Sequence, residues 1–207
     1  MTAPHICSHP DYPALASVSF EKLVAAIHAG GTDARLVEGA GTAVPARVCG
    51  MTVDSREVKP GNQFVCKGAA FKPAFLASAR DHGAAAYLCS DTPELLAQLE
   101  AVAPGMPHIA TSDVRRAMAL VAPAVYHHPE RALDIVGITG TKGKSTVAYM
   151  LRSILTAAGD TPSILGSIDT DDGVEQYESH NTTPEAPELW RHLRNTVDAG
   201  RRHMIME

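Results

Sequence analysis

Aromatic residues make up only 5% of this 207-residue chain, with a single Trp, and no apolar stretch approaches the ~20 residues that a bilayer-spanning helix needs. Insertion into a membrane is therefore not expected. Clustered Lys and Arg are missing as well. With a formal net charge of -5 the chain lacks the basic footprint that phosphate-backbone binding requires, so nucleic acid is not the expected partner. Its cysteines, Cys7, Cys49, Cys66 and Cys89, form no C-x-x-C pair and have no matching histidine spacing, which argues against a zinc site and points to reduced thiols. From Met1 to Val18 there is no basic region followed by an apolar run, so no targeting segment is read and a cytoplasmic location is expected. What is present, 45% hydrophobic and 20% charged residues, suits one large globular domain or two small ones.

The most informative segment is Gly137-Ile138-Thr139-Gly140-Thr141-Lys142-Gly143-Lys144-Ser145-Thr146, entered from the apolar run Leu133-Asp134-Ile135-Val136 and left by a helical pattern. Closely spaced glycines let consecutive backbone N–H groups turn toward one anion, and the following helix presents its positive end to the same charge. Lys144 can then reach phosphate, and the Ser145 hydroxyl can reach magnesium. The strict G-x-x-x-x-G-K-[ST] pattern fails, because Ile138 stands where its first glycine belongs. Gly-Thr-x-Gly-Lys-[Ser/Thr] still arises by chance only on the order of 10^-6 per position. The alternative is a glycine-rich turn carrying two exposed lysines. The expected ligand is a nucleoside triphosphate.

Periodicity predicts an α/β chain. Phe20, Leu23, Val24 and Ile27 mark an amphipathic helix with Ser17 or Ser19 as cap and Gly30-Gly31 as stop. Strand-like runs follow at 48–53 and 63–66, then a helix over 74–82, an apolar run at 84–88, a helix over 93–102, a strand at 108–110 and a helix capped by Ser112 that Pro123 kinks. Tyr126-His127-His128-Pro129-Glu130 reads as a junction, dividing residues 1–130 from 131–207. After the loop come a helix ending at Gly159, a strand over 163–168, an acidic turn over 169–173, a helix opened by Asn181-Thr182-Thr183-Pro184 and a strand from His203. A parallel doubly wound sheet needs several such units, so the second domain is expected to be truncated.

With Val53-Asp54-Ser55-Arg56, Lys59-Pro60-Gly61, Tyr126-His127-His128-Pro129, the loop, Asn181 to Pro184 and Met206-Glu207 in view, the chain resembles the Mur ligases, and among them the UDP-N-acetylmuramoyl-tripeptide synthetases (MurE type). The resemblance spans about residues 48 to 207. It implies a small N-terminal α/β domain that binds the UDP-substrate, followed by a P-loop-type parallel-sheet ATPase domain. It also implies an ATP-dependent ligase of peptidoglycan precursor synthesis that adds the third amino acid to UDP-N-acetylmuramoyl-L-alanyl-D-glutamate through an acyl-phosphate. ATP and Mg2+ are then the cofactors, and UDP-N-acetylmuramoyl-dipeptide and an amino acid the small-molecule partners.

By the same resemblance Gly140, Thr141, Lys142, Gly143, Lys144, Ser145 and Thr146 bind ATP, Lys144 is catalytic through the β- and γ-phosphates, and Ser145 with Glu207 forms the metal site. Asn181, Thr182 and Thr183 are expected to hold the muramoyl peptide, and Val53, Ser55 and Arg56 the uridine-diphosphate end. Taken alone, Thr182-Thr183-Pro184 is an ordinary helix start and Asp54-Ser55-Arg56 a turn with a local ion pair. The family's carbamylated lysine and its C-terminal amino-acid-selecting domain are absent from these 207 residues, so no complete ligation is expected of this chain alone. Two other readings stay open: a non-catalytic nucleotide or UDP-sugar binding module, and a ligase like folylpolyglutamate synthetase, whose loop is similar.

Overall fold

The computed structural model describes residues 6–9, 12–39, 47–179 and 183–207, with 6–9 and 12–16 as backbone only. The chain divides into two compact units, Met1–Tyr126 and His127–Glu207.

In the first unit β1 (Ile6–His9) and β2 (Tyr12–Ala16) form an antiparallel hairpin, and β3 (Val18–Ser19) leads into α1 (Phe20–Ala29). Phe20, Leu23 and Ile27 are buried, as residues three and four apart share one helix face. Ser19 stands at the N-cap but makes no side-chain capping bond, and the Ser17 hydroxyl accepts from Arg47 Nε at 2.8 Å instead. There follow β4 (Ala34–Val37), β5 (Arg47–Val48), β6 (Gly50–Thr52), β7 (Asn62–Val65), α2 (Pro73–Asp81), β8 (Ala86–Ser90), α3 (Pro93–Val102), β9 (His108–Thr111) and α4 (Val114–Val125).

The main sheet has the order β4-β9-β8-β7-β6, parallel except for β4 at one edge. Leu76, Ala79 and Leu99 of α2 and α3 cluster with Phe64, Cys66, Tyr87 and Cys89. The alternate residues Val65, Leu88 and Ile109 are buried too, as in a sheet covered on both faces. Cys66 and Cys89 are free, and burial pushes both thiols up, Cys89 to about 12. Cys49 is disulfide-bonded, which corrects the expectation of reduced thiols at that position. The cap of α4 is Asp113, not Ser112, because the Asp113 carboxylate accepts from Arg116 N at 3.0 Å, the reach an N-cap side chain needs. Pro123 lies inside α4 without ending it, and Tyr126 N still bonds Ala122 O at 3.1 Å.

The second unit begins with His127 and His128 in the left-handed region, φ 60° and 50°, and one 3-10 turn, Pro129–Ala132. Next come β10 (Asp134–Gly137), α5 (Lys144–Ala157), β11 (Ser163–Leu165), β12 (Asp169–Asp171), β13 (Gln176–Glu178), α6 (Ala186–Asp198) and β14 (His203–Met206). The sheet order is β10-β14-β11-β12-β13. The first three strands are parallel, while β12 and β13 are antiparallel additions.

The expected acidic turn over 169–173 is thus largely a strand. Arg152 binds Asp169 at 3.3 Å and Asp171 at 2.6 Å, and Arg201 binds Asp171 at 2.8 Å, so the carboxylates enter the sheet paired. Helix α6 starts at Ala186 with Glu185 at its cap, later than the Asn181–Pro184 segment suggested. Leu133, Leu165, Leu193 and Met204 form one core cluster, and Ala148, Ile164 and Ile205 a second beneath α5. Ile135 and Val136 on the edge strand β10 are exposed, as are Val147, Met150 and Ile154, which form a stripe on α5.

Candidate phosphate and metal site

Strand β10 delivers the glycine-rich loop to the carboxyl end of the parallel sheet, where ligands bind in open α/β sheets. The loop closes on Gly143, which has φ +78° and sits at the N-cap of α5, a backbone conformation that side chains other than glycine's strain to adopt. Val147 N bonds Gly143 O at 3.0 Å, so the helix begins directly at Lys144. The orphan N–H groups of that first turn and the helix dipole favour an anion here. Lys144 Nζ donates to Gly140 O at 3.2 Å across the loop, which holds its positive charge over the same turn.

One residue on, Ser145 Oγ donates to Glu207 Oε2 at 3.0 Å. Glu207 follows β14, the strand between β10 and β11, and its N–H bonds Leu165 O at 3.0 Å. Two positions 62 residues apart are therefore brought into direct contact by strand order. A hydroxyl and a carboxylate are hard oxygen donors of the kind Mg2+ takes, so the residues present fit that ion. Ser167, on the turn after β11, meets the same carboxylate: its N–H reaches Oε1 at 3.2 Å and its hydroxyl Oε2 at 3.1 Å. No sequence motif singled out Ser167. Its only signal was position, one residue past a glycine at the end of a strand.

Of the expected peptide-binding residues, Thr183 Oγ1 donates to Glu207 O at 3.4 Å, so it borders the same carboxylate residue. Asn181 and Thr182 lie outside the described residues. Tyr149, one helical turn after Ser145, donates to Asp169, and burial together with this bond raises its hydroxyl to about 12. Thr141, Lys142 and Thr146 are exposed on the loop and the first turn of the helix.

Val53, Ser55 and Arg56 belong to the first unit, on the turn after β6 and so also at the carboxyl end of a parallel strand. Asp54 accepts from Arg56 N at 2.9 Å and from Arg56 Nη2 at 2.5 Å, and this bonding to Arg56 lowers its carboxyl below the usual range. The local ion pair expected of Asp54-Ser55-Arg56 taken alone is therefore present. The Arg56 side chain is nonetheless 85% exposed and open to an incoming anion.

Asp172, Glu175 and His192 cluster tightly enough to suggest a second metal centre. Their hydrogen bonds argue otherwise. Asp172 Oδ1 accepts from Val174 N at 2.8 Å and Glu175 N at 2.7 Å, and Oδ2 from His192 Nδ1 at 2.6 Å and Asn195 Nδ2 at 2.8 Å. His192 Nε2 meets Tyr177 OH at 3.0 Å. With both Asp172 oxygens and both ring nitrogens engaged, the group is a buried staple between the loop after β12 and α6.

Residues 138–207, the stretch that holds the loop, Ser167 and Glu207, match the Mur ligase middle domain. The chain belongs to the Mur ligase family. Similar members include a UDP-N-acetylmuramyl-tripeptide synthetase of Lactobacillus delbrueckii subsp. bulgaricus, 39% identical over 76% of this chain and 30% of the relative. Another is a UDP-N-acetylmuramoyl-L-alanyl-D-glutamate--L-lysine ligase of Streptococcus thermophilus, 37% identical over 76% of this chain and 31% of the relative. The chain thus spans about a third of the length of the curated Mur ligases it matches. Among solved structures, a UDP-N-acetylmuramoyl-L-alanyl-D-glutamate--2,6-diaminopimelate ligase aligns with TM-score 0.60 at 19% identity, covering 91% of this chain and 35% of that one. MurF from Acinetobacter baumannii aligns with TM-score 0.59 at 17% identity over 93% and 36%. Both likenesses concern the α/β fold.

Proposed function

We propose that this chain carries the UDP-substrate-binding and nucleotide-binding parts of an ATP-dependent ligase that adds the third amino acid to UDP-N-acetylmuramoyl-L-alanyl-D-glutamate in peptidoglycan precursor synthesis, in the cytoplasm. The carrying observation is the contact of Ser145 with Glu207, one residue after the Lys144 that bonds back across the glycine-rich loop, at the carboxyl end of the parallel sheet in residues matching the Mur ligase middle domain. Residues 1–130 would take the UDP-sugar, with Val53, Ser55 and Arg56 at its diphosphate, and 131–207 the nucleotide. Cell-wall biogenesis, cell shape, cell division and the cell cycle follow as the processes served.

The loop amides and Lys144 bind the triphosphate, orient its terminal group toward a carboxylate near Thr183, and offset the charge that spreads over that group during transfer. Asn181 and Thr182 join Thr183 in holding the muramoyl peptide. Ser145 and Glu207 would hold Mg2+, which supplies Lewis-acid neutralisation of phosphate charge when bound. Transfer of the γ-phosphoryl group to the substrate carboxylate releases ADP and gives an acyl-phosphate, and attack of the amino acid's amine on its carbonyl carbon forms the amide and releases inorganic phosphate.

Titration calorimetry with MgATP and with UDP-N-acetylmuramoyl-dipeptide tests this reading. Both ligands should bind, and Lys144→Ala should lose the nucleotide while keeping the UDP-substrate. Nucleotide binding unchanged by that substitution refutes the site.

A further inference from the structure

The carboxylate of Glu207 is held from two sides by one turn. Ser167 contributes both its N–H, at 3.2 Å to Oε1, and its hydroxyl, at 3.1 Å to Oε2, in a paired arrangement that fixes the plane of the carboxylate as well as its position. Gly166 precedes it, and a Cβ built there would lie 2.6 Å from Glu207 Oε1, well inside contact distance. The glycine is therefore needed for the carboxylate to approach, although its backbone conformation is one that any residue can adopt. Its own N–H bonds Asp169 O at 3.1 Å, and Asp169 is in turn tied to Tyr149 and Arg152 of α5. The turn that carries Ser167 is thus anchored to the same helix that carries Ser145.

We infer that Gly166 and Ser167 form a carboxylate cradle that aims Glu207 at the Ser145 hydroxyl, so that the two can share one divalent cation. The inference rests on the phosphate-loop reading above and adds to it two positioning residues that the loop motif does not contain. Ser145 and Ser167 both donate to Glu207 Oε2, at 3.0 and 3.1 Å. When a cation takes the place of the Ser145 proton donor, Ser167 remains as the group that keeps the carboxylate from swinging away. Partners of this kind, which orient a metal-binding group without touching the metal, typically change metal affinity about 10- to 100-fold when removed.

The test uses Mn2+ as a paramagnetic stand-in for Mg2+, titrated into the 207-residue chain at saturating ADP and read by electron paramagnetic resonance, with metal-free ADP affinity and thermal midpoint measured alongside. Ser167→Ala should weaken Mn2+ binding at least about tenfold while ADP affinity without metal and the midpoint stay unchanged, and Ser167→Thr should restore it. Gly166→Ala should weaken Mn2+ in the same way from the opposite side, by pushing Oε1 out of place. Mn2+ affinity within twofold of the unaltered chain in both Ser167→Ala and Gly166→Ala overturns the cradle. Equal losses of metal affinity, ADP affinity and thermal midpoint overturn it also, since they mark general loosening. Failure of the unaltered chain to bind Mn2+ with ADP overturns the phosphate-loop reading itself, a result distinct from either.

Discussion

Replacing Asp172 with Ala should cost the second unit a large part of its stability. The side chain is fully buried and accepts four hydrogen bonds, two from the backbone of its own loop and two from His192 and Asn195 of α6. Burial disfavours its charge, yet the bonds from His192, the Glu175 and Val174 N–H groups and Asn195 outweigh burial and hold its carboxyl below the usual range. Burial likewise opposes charge on His192, and the contacts with Asp172 and Glu188 prevail and raise it. The closest Glu188 oxygen is 3.8 Å from Nε2, an ion-pair contact, whereas Tyr177 OH is the nearer partner at 3.0 Å.

Truncation strands a buried imidazole and a buried amide. Breaking a buried pair by removing one partner costs about 3–5 kcal/mol, against a total of about 5–15 for a small domain. At about 4–8 °C per kcal/mol for a unit of this size, the midpoint of the second unit should fall by roughly 12 °C or more. Differential scanning calorimetry with near-UV circular dichroism reads it, and a fall under about 4 °C would refute the argument. Because the donors and acceptors are already engaged, a chelator should leave the midpoint of the unaltered chain in place.

The pH dependence has a definite sign. The raised His192 contributes stability that is complete below its unfolded value near 6.5 and is lost as pH climbs through its folded value. The lowered Asp172 contributes above its unfolded value near 3.8 and loses that contribution as pH falls through its folded value. The pair is therefore most stabilising between about pH 4 and 6.5, and His192→Gln should flatten the alkaline limb.

Tyr126→Phe should destabilise the first unit by about 1 kcal/mol in urea unfolding, because its hydroxyl donates to Met51 O at 3.2 Å and accepts from Met51 N at 3.4 Å; no change would mean that the ring alone matters. The stripe Val147, Met150 and Ile154, 51 to 64% exposed, should bind a hydrophobic dye, and the triple change to Thr, Gln and Gln should reduce that fluorescence severalfold without lowering helix content. Equal dye binding in the variant would place the apolar surface elsewhere.

The α/β class and many element positions were legible because local rules decide them. Proline at the first turn and a 3.6-residue apolar period gave α3 at Pro93–Val102, and the spacing of Phe20, Leu23 and Ile27 gave the buried face of α1. The loop from Gly140 to Ser145 was legible for a related reason: phosphate binding draws on backbone N–H groups within one short turn, and only certain residues permit that turn. Where an element's identity rests on distant partners, local rules misled. The acidic 169–171 segment became a strand because Arg152 and Arg201 reach it from α5 and from the turn after α6. Asp113 displaced Ser112 at a cap through a one-residue difference in reach.

The sequence alone singled out the glycine-rich loop and the candidate pair Ser145 and Glu207, since motif chemistry is local and the resemblance supplied the second member. Tertiary structure alone decided that the pair meets, because β14 inserts between β10 and β11 and carries Glu207 to the start of α5. It also brought in Gly166 and Ser167. Their role depends on a turn 40 residues upstream of Glu207 folding back against it, a distance over which no residue period carries information.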